Sequence, residues 1–438
     1  MIRLEDLYEL YKKCSCVTTD SRNIKSGAMF FALRGETFDG NDFAVKALEA
    51  GAKYAIVDRP ALDGVNVKGR RSCILVDDVL DTMQKLAAYH RSQFDIPVVG
   101  VTGTNGKTTT KELINAVLSK KYRTVATKGN FNNHIGVPLT LFEINDKTQM
   151  AIVEMGASAP GEIAALVKLS QPTCGVVTNV GKAHLQGFGS FEGVKNTKGE
   201  LYDYLRQKGG TVFYNADNPH LTEMISRRSG MCTEKYGVKH QDVAVLQVTA
   251  EEPYLRLILQ NSIQISTHLV GAYNADNVLA AICIGRHFGV PDKDIFAAVE
   301  KYVPSNNRSQ MVQTSRNRLI VDAYNANPTS MRAAIENFKV MEFSGKTLIL
   351  GDMLELGADS LEEHKELLDL AMESAQTIYL VGGEFMAAAV ANGVSGAVRC
   401  FATSDELHCF LEQNPLDSKT ILVKGSHGTH LEKLLDVL

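Results

Sequence analysis

The sequence lacks the features that mark several large classes of protein. No apolar run approaches the roughly 18–20 residues that a membrane-spanning helix needs, and the first ten residues mix charges of both signs where a signal peptide has an apolar core. Basic residues are not in excess, because 46 Lys and Arg stand against 50 Asp and Glu. This balance argues against a sequence-independent nucleic-acid binder. We therefore expect a cytoplasmic protein with no membrane span and no nucleic-acid partner.

Cysteine is sparse and scattered, with eight residues and no C-x-x-C pair. The sequence therefore gives no sign of a zinc or redox site, and buried or incidental thiols are the simpler interpretation. Internal repeats and low-complexity tracts are also missing. A chain of 438 residues is too long for one compact core, and at roughly 100–200 residues per domain its length predicts three domains.

Short apolar runs alternate with helical patterns along most of the chain, which predicts an α/β fold with parallel sheets. We place the three domains at residues 1–93, 94–305 and 306–438. The runs at 255–259 and 263–265 differ from the rest, because their short polar separation predicts an antiparallel hairpin. The other predicted strands are 28–33, 54–57, 73–76, 96–101, 150–153, 174–177, 319–321, 347–350, 378–381 and 421–423.

The third predicted domain has polar and glycine residues directly after its strands. Asp322, Asp352, Gly382 and the run from Lys424 to Ser426 follow four different strands. Ligands of open α/β sheets bind beyond the carboxyl ends of the strands. This pattern favours a second binding face, although glycine also simply turns the chain.

The strongest local pattern is a glycine-rich loop between the strand ending at Val101 and a predicted helix over 107–118. Glycines let backbone N–H groups close around phosphate oxygens, and the helix N-terminus favours negative charge. Val101 occupies the first glycine position of G-x-x-x-x-G-K-[ST], yet the strand-loop-helix setting makes a chance turn the weaker explanation. Lys107 would pair with the outer phosphates, and the Thr108 hydroxyl would bind Mg²⁺. The predicted ATP-binding loop comprises Gly103, Thr104, Asn105, Gly106, Lys107, Thr108 and Thr109.

Three further residues follow the glycine-rich loop along the chain, and they are informative only when they are considered together. Glu154 ends a predicted strand, where a carboxylate can reach a metal held over the phosphates, but a polar strand end is equally common. His184 follows another strand and would bind a metal as a neutral imidazole, although a lone histidine is usually structural. Lys198 by itself reads as a solvated helix lysine.

This order of loop, glutamate, histidine and lysine resembles the Mur ligases and their relative folylpolyglutamate synthetase. The resemblance implies an ATPase domain with two Mg²⁺ sites, the first contacted by Thr108 and Glu154 and the second by His184. Lys198 resembles the lysine that this family often carries as a carbamate, with Lys195 as the competing candidate. The catalytic residues implied are Lys107, His184 and Lys198.

The resemblance extends over nearly the whole chain. Ser21 and Arg22 are a weak match to a uridine-side motif, and residues 33–40 are a firmer match to a nucleotide-sugar domain. A loop after the phosphate-binding helix resembles a substrate loop of the family, through Asn130, Asn132 and Asn133. The adenine-side motif retains Asn274 and Asn277 but has Tyr273 in place of the usual histidine. In the third domain the matched residues are Arg308 and Asp322 for ATP, and Tyr324, Asn325 and Asn327 for substrate.

The fold implied is a central phosphate-loop ATPase domain, flanked by an N-terminal α/β nucleotide-sugar domain and a C-terminal Rossmann-like domain. The segment 351–357 and the absence of a D-N-P-R motif favour the members that add D-alanyl-D-alanine to UDP-muramoyl tripeptide through an acyl phosphate. ATP and two Mg²⁺ ions are the expected cofactors, and we expect a monomer. The alternatives are a ligase that adds the third residue, a folylpolyglutamate synthetase, a nucleotide-binding regulator and a mechanical or signalling phosphate-loop protein.

Overall fold

The computed structural model describes residues 2–63, 66–67, 70–304, 308–394 and 396–438. The chain forms two compact units, of which one comprises Met1–Gly100, Tyr122–Gly156 and Ile163–Gly175 and the other Val101–Lys121, Ala157–Glu162 and Val176–Leu438. The predicted domain boundary at 93 stays a prediction, and the one between 305 and 306 lies outside the described residues. No helix in the described ranges is long and apolar enough to cross a membrane.

The N-terminal region contains a parallel sheet of four strands in the order β1-β2-β3-β6. Consecutive residues of β2 and β3 pack against helices on opposite faces, because side chains alternate along a strand. Both faces are therefore buried, as a continuous apolar run predicts. The strands are β1 Val17–Thr18, β2 Met29–Phe31, β3 Tyr54–Val57, β4 Asn66–Val67, β5 Arg70–Arg71 and β6 Cys73–Leu75, and the helices are α1 Leu4–Tyr11, α2 Ala44–Glu49 and α3 Val79–Ser92.

A six-stranded sheet follows, in the order β12-β11-β10-β7-β9-β8. The pairs β8–β9 and β11–β12 are parallel. Its strands are β7 Val98–Thr102, β8 Thr124–Ala126, β9 Met150–Glu154, β10 Cys174–Val177, β11 Thr211–Asn215 and β12 Cys232–Tyr236. The helices of this region are α4 Lys107–Leu118, α5 Gly136–Leu141, α6 Glu162–Ser170, α7 Leu185–Phe188, α8 Phe191–Lys208, α9 Pro219–Ser226, α10 Ala275–His287 and α11 Asp292–Lys301.

The predicted hairpin is confirmed, as part of a small antiparallel sheet in the order β13-β14-β15. Its strands are β13 Ala244–Val245, β14 Arg256–Leu259 and β15 Ile263–Ser266. Leu257 pairs with Ile265, and both side chains are buried.

The C-terminal region contains a second six-stranded sheet in the order β16-β17-β21-β18-β19-β20. All neighbouring strands are parallel except β16 and β17. Leu348 and Leu350 face one hydrophobic cluster and Ile349 faces the other, so helices cover both faces. The strands are β16 Gln310–Gln313, β17 Arg318–Asp322, β18 Lys346–Gly351, β19 Thr377–Val381, β20 Val398–Phe401 and β21 Thr420–Lys424, and the helices are α12 Pro328–Val340, α13 Ser360–Met372, α14 Gly383–Ala391 and α15 Ser404–Gln413.

The predicted α/β class with several parallel sheets is confirmed. Among the described strands, those that the sequence pattern misses lie at sheet edges except for β11, namely β1, β4, β5, β8, β12, β13, β16 and β20. Edge strands bury fewer side chains, and in β12 most residues are exposed or half-buried. Their apolar signal is correspondingly weak.

Candidate active site

The glycine-rich loop lies between β7 and α4, as its pattern predicts. Gly103 and Gly106 both have positive φ, at 142° and 75°. A Cβ on Gly103 would lie 2.0 Å from Thr178 Oγ1. Larger residues at this position would therefore clash as well as strain the backbone. Gly106 caps the N-terminus of α4, which directs backbone N–H groups and positive dipole charge toward the loop.

The segment after β10 supports this loop through backbone and side-chain hydrogen bonds. Asn105 N donates to Asn179 Oδ1 at 2.9 Å, and Thr178 Oγ1 donates to the Asn105 carbonyl at 2.6 Å. Gly181 N donates to Thr104 Oγ1 at 3.0 Å. Sequence reasoning missed Thr178 and Asn179, because a polar strand end carries no sign of the loop that it will support.

Lys107 is the first residue of α4, and its Nζ donates to the carbonyls of Gly103 and Thr104 at 2.9 Å each. The ammonium group is thus held over the loop by backbone groups. Thr108 is buried in the first turn of the helix. Phosphate binding by Lys107 and Mg²⁺ binding by Thr108 stay predictions.

Helix α10 is tied to α4 by the predicted adenine-side asparagines. Asn277 Oδ1 accepts a hydrogen bond from Thr110 Oγ1 at 3.0 Å, and Asn277 Nδ2 donates to Asn274 Oδ1 at 2.8 Å. Asn274 Nδ2 donates to the Val270 carbonyl at 2.8 Å. These amides hold protein groups together beside the loop, and their contact with a nucleotide stays a prediction. Tyr273, which replaces the family's histidine, contacts Ser309 through the two hydroxyl groups at 3.0 Å.

Glu154 ends β9 and is buried. Its Oε1 accepts a hydrogen bond from Asn132 Nδ2 at 2.8 Å. Asn133 caps the turn that follows, since its Oδ1 accepts from the Gly136 amide at 2.9 Å. Asn132 thus orients the glutamate, whereas Asn133 shapes the loop and Asn130 is exposed.

Lys198 is buried within α8, with 2% of its surface exposed. Its Nζ lies 3.3 Å from the carbonyl of Ala157 and 5.2 Å from the centre of the Phe188 ring. Burial, with the nearby positive charge of Lys107, lowers the pKa of Lys198 to about 7. Lys195, the competing candidate, instead forms ion pairs with glutamates at 192 and 223.

His184 precedes α7 with a positive φ of 49°. Its Nδ1 pairs with the Glu355 carboxylate, which comes from the loop after β18. Close by in the chain, Lys182 pairs with Glu363 at 2.5 Å. Two ion pairs therefore join the segment after β10 to the C-terminal sheet region.

The carboxyl end of the C-terminal sheet carries a buried ion pair. Lys424 is almost fully buried, and its Nζ lies 2.6 Å from Asp322 Oδ2. Nearby, the Arg308 guanidinium lies 3.7 Å from the centre of the Tyr324 ring. A charge buried to this extent needs its partner, so Lys424 fixes the Asp322 carboxylate in place.

The predicted substrate clamp starts α12. Asn327 is the N-cap of this helix, and its Oδ1 accepts from Ser330 N at 2.9 Å. The same side chain exchanges hydrogen bonds with Asn105 of the phosphate loop. Asn325 is exposed, and it lines a pocket of about 170 Å³ together with Ala183, His184, Ala326, Asn327, Leu354, Glu355, Ser426, His427 and Gly428.

Ser21 and Arg22 lie in a turn of the N-terminal region. Arg22 is exposed and pairs with Asp20 at 2.9 Å. The turn is therefore shaped by its own side chains, and the predicted contact with uridine stays a prediction.

No cluster of three or more His, Cys, Asp or Glu side chains that could hold a metal occurs among the described residues. Mg²⁺ bound with a nucleotide usually keeps several waters and takes only one or two carboxylates besides the phosphates. The Thr108 hydroxyl and the buried Glu154 carboxylate are oxygen donors of the kind that Mg²⁺ prefers, whereas the His184 imidazole is assigned to a Mg²⁺ site only by the family resemblance.

Comparison with known proteins agrees with this geometry. Residues 13–91 match the Mur ligase family catalytic domain, 101–285 the Mur ligase middle domain and 307–427 the Mur ligase glutamate ligase domain. The UDP-N-acetylmuramoyl-tripeptide--D-alanyl-D-alanine ligase of Bacillus subtilis is 36% identical over 96% of this chain and 92% of its own.

Solved structures give the same result. MurF from Acinetobacter baumannii has a TM-score of 0.85 at 30% identity, covering 99% of this chain and 97% of its own. MurF from Thermotoga maritima in complex with ADP has a TM-score of 0.82 at 27% identity, covering 100% and 98%. The resemblance found in the ordered motifs is confirmed, and the chain belongs to the Mur ligase family.

Proposed function

We propose that this protein joins D-alanyl-D-alanine to UDP-N-acetylmuramoyl tripeptide, with conversion of ATP to ADP and phosphate. The observation that carries the proposal is the pair of hydrogen bonds between Asn105 in the phosphate loop and Asn327 at the start of α12. A ligase must bring ATP and two further substrates together, and this contact supports a substrate pocket beside the predicted nucleotide loop. The Bacillus subtilis relative bears the name of this reaction.

The reaction needs an activated carboxyl group, because oxide is a poor leaving group at neutral pH. The terminal carboxylate of the tripeptide would attack the γ-phosphoryl group of ATP, giving an acyl phosphate and ADP. Two anions approach each other in this step, so the main task of the protein is to offset negative charge. Lys107 and the backbone N–H groups at the start of α4 supply positive charge at the loop.

In the second step the amine of the dipeptide would attack the acyl carbonyl, and phosphate would leave from the tetrahedral intermediate. Holding the amine against the carbonyl lowers the entropic part of the barrier. The pocket lined by His184, Asn325, Asn327 and Ser426 has a volume of about 170 Å³ and carries polar side chains that can bind peptide groups. We assign it to the dipeptide and the end of the tripeptide, with Tyr324 as a further substrate contact.

The remaining proposed contacts with ATP and substrate rest on the family resemblance. Asn274, Asn277, Arg308 and Asp322 would contact ATP. The N-terminal region would hold the UDP-sugar, with contacts from Ser21 and Arg22, and the loop after α4 would contact substrate through Asn130, Asn132 and Asn133.

Two Mg²⁺ ions complete the proposal. Thr108 and Glu154 would contact the first, and His184 and a modified Lys198 the second. Bound Mg²⁺ neutralises the charge that develops on transferred phosphoryl oxygens. The depressed pKa of Lys198 favours this modification, because only the neutral amine adds to CO₂, giving a carbamate and releasing a proton.

We further propose a monomer working in the cytoplasm, where ATP and nucleotide-linked sugars are available. Each proposed contact comes from a single chain, so no second copy is needed. Sedimentation of the purified protein at micromolar concentration would test the monomer.

The decisive experiment measures phosphate release from ATP with Mg²⁺, UDP-muramoyl tripeptide and D-alanyl-D-alanine, omitting each substrate in turn. We expect release only with the full set, together with a UDP-muramoyl pentapeptide detected by mass. Release with a diamino acid and the dipeptide precursor, or with a folate and glutamate, would instead identify a sibling activity. ATP hydrolysis at a rate that does not depend on any acceptor substrate would contradict the ligase assignment.

A further inference from the structure

We infer that Glu355 is a positioning residue for His184, whose carboxylate fixes the imidazole tautomer and directs Nε2 toward a metal. The inference rests on the proposed function in one respect, namely that His184 contacts the second Mg²⁺. Glu355 lies in the loop after β18, far along the chain from His184.

The contact uses a specific atom of the imidazole. His184 Nδ1 is hydrogen-bonded to Glu355 Oε2, and none of the described residues is hydrogen-bonded to Nε2. An ionised carboxylate can only accept, so the proton in this bond belongs to Nδ1. Because a neutral imidazole carries one proton, holding it on Nδ1 leaves the Nε2 lone pair available as a ligand. Metal-bound histidines commonly make this bond to a carboxylate through the other ring nitrogen, which orients the ring and strengthens the ligand.

Both partners are held in an uncommon backbone conformation. The φ angles are 49° for His184 and 65° for Glu355, in the left-handed region that non-glycine residues seldom adopt. Such conformations persist where the surrounding structure imposes them, and they concentrate at functional sites. An ordinary surface ion pair would not require strain at both ends.

The loop that carries Glu355 is anchored on each side. Leu354 N donates to Ser426 Oγ at 3.1 Å, and Met353 N donates to His364 Nε2 at 3.0 Å. Ser426 and His364 are both buried. The carboxylate is therefore presented from a fixed backbone, although 57% of its side chain is exposed.

The two partners belong to different parts of the proposed enzyme. His184 follows β10 of the sheet that contains β7, and Glu355 follows β18 of the C-terminal sheet. The histidine is therefore a well-oriented ligand only while these two segments are in contact. This arrangement would couple the approach of the C-terminal segment to the strength of the second metal site.

The alternative is that the Glu355 ion pair only holds the two segments in contact and does not orient the imidazole. The chain offers a control, because Lys182, two residues before His184, forms a second ion pair with Glu363 of α13, the helix that follows the loop of Glu355. Replacing Glu363 by Gln removes a latch and leaves the imidazole untouched.

The test is a titration of the full-length protein with Mn²⁺ in the presence of a non-hydrolysable ATP analogue, followed by electron paramagnetic resonance. We expect Glu355→Ala to weaken Mn²⁺ at one site by roughly 10–100-fold, Glu355→Gln to have a smaller effect, and Glu363→Gln to match the wild type. Unchanged affinity in Glu355→Ala, or an equal loss in Glu363→Gln, would overturn the inference. If His184→Ala binds Mn²⁺ normally, the metal assignment within the proposed function fails, and the inference fails with it.

A second measurement separates orientation from latching. Nitrogen-15 NMR of labelled histidine, assigned by comparison with His184→Ala, reports which ring nitrogen carries the proton. We expect the proton on Nδ1 in the wild type and in Glu355→Gln, whose amide oxygen still accepts, and on Nε2 in Glu355→Ala. An Nε2 proton in the wild type would overturn the inference even if affinity changes.

Discussion

Asn105 and Asn327 join the phosphate loop to the N-cap of α12 by two side-chain hydrogen bonds. Asn327 Nδ2 donates to Asn105 Oδ1 at 2.7 Å, and Asn105 Nδ2 donates to Asn327 Oδ1 at 3.3 Å. The two residues are 222 positions apart. The side chain that caps α12 thus also forms hydrogen bonds with the loop that precedes α4.

The two tasks of Asn327 can be separated by substitution. Asn327→Ser keeps a strong N-cap, because Ser is as favourable there as Asn, but its side chain is too short to reach Asn105. We expect the melting temperature of this variant to stay near the wild-type value while kcat/KM for ATP falls about 10–100-fold, since misplaced groups lose their orientation. Thermal unfolding and steady-state phosphate release would measure both.

Asn327→Ala is the companion variant, and it should also lose about 1 kcal/mol of stability with the cap. Equal activity in the wild type and Asn327→Ser would contradict the proposed link between loop and helix.

Lys107→Ala should abolish ligase turnover without unfolding the protein. Its Nζ donates to the backbone carbonyls of Gly103 and Thr104, and its side chain is only partly buried, so we expect the fold to survive its truncation. Loss of one such charged donor typically lowers kcat about 100–1,000-fold. Phosphate release checks the activity and circular dichroism checks the fold. Turnover near the wild-type rate would refute the assignment.

Lys198→Ala should lose roughly 10–100-fold in activity, as ligand-shell changes at metal sites commonly do. A short carboxylic acid added to the assay should partly restore it, because the acid can occupy the place of the missing carbamate. Lys195→Ala is the control, since its amine pairs with Glu192 and Glu223 and no acid should rescue it. A fully active Lys198→Ala protein would disprove the carbamate.

Asp276 should make the stability of the protein depend on pH. Burial, with the nearby Asp217 carboxylate, raises the pKa of Asp276 from 3.8 to about 6. Between about pH 4 and pH 6 the folded protein therefore keeps a proton that the unfolded chain releases. The contribution of Asp276 to the free energy of unfolding therefore falls as pH rises from about 4 to about 6, and it does not fall further above pH 6.

Asparagine has no titratable side chain, so the free energy of unfolding of Asp276→Asn should not fall over this pH window. We expect it to match the wild type near pH 4 and to exceed it by on the order of 1–2 kcal/mol at pH 7, after allowing for partial exposure. Urea unfolding at several pH values measures the difference. A difference that does not vary between pH 4 and pH 7 would contradict the raised pKa.

The choice between Lys195 and Lys198 illustrates how sequence and structure contribute. Both lie on α8 and both are largely buried, and the sequence context alone favours Lys198 only by resemblance. What separates them is their surroundings, because Lys195 pairs with Glu192 one turn earlier on the same helix and with Glu223 of α9, whereas Lys198 lies against the Phe188 ring. Burial, with the nearby charge of Lys107, lowers the pKa of the Lys198 amine, and that burial depends on the elements packed against the helix.

The sequence by itself determined the features that depend on neighbouring residues. The phosphate loop needs glycines with positive φ, a lysine and a helix start within seven positions, so local pattern was enough to locate it. Most interior strands were equally legible, because burial on both faces demands continuous apolar runs, although the pattern missed the interior strand β11. The ordered motifs were specific enough to identify the family.

Only the tertiary structure decided the strand order, the weak edge strands and the long-range pairs His184–Glu355, Asn105–Asn327 and Asp322–Lys424. Such pairs form between segments that a sequence pattern treats separately. Their geometry depends on the register of whole sheets and on left-handed backbone positions at non-glycine residues, which carry no local signal. The chemistry of the loop was therefore local, and its connection to the C-terminal region was a product of packing.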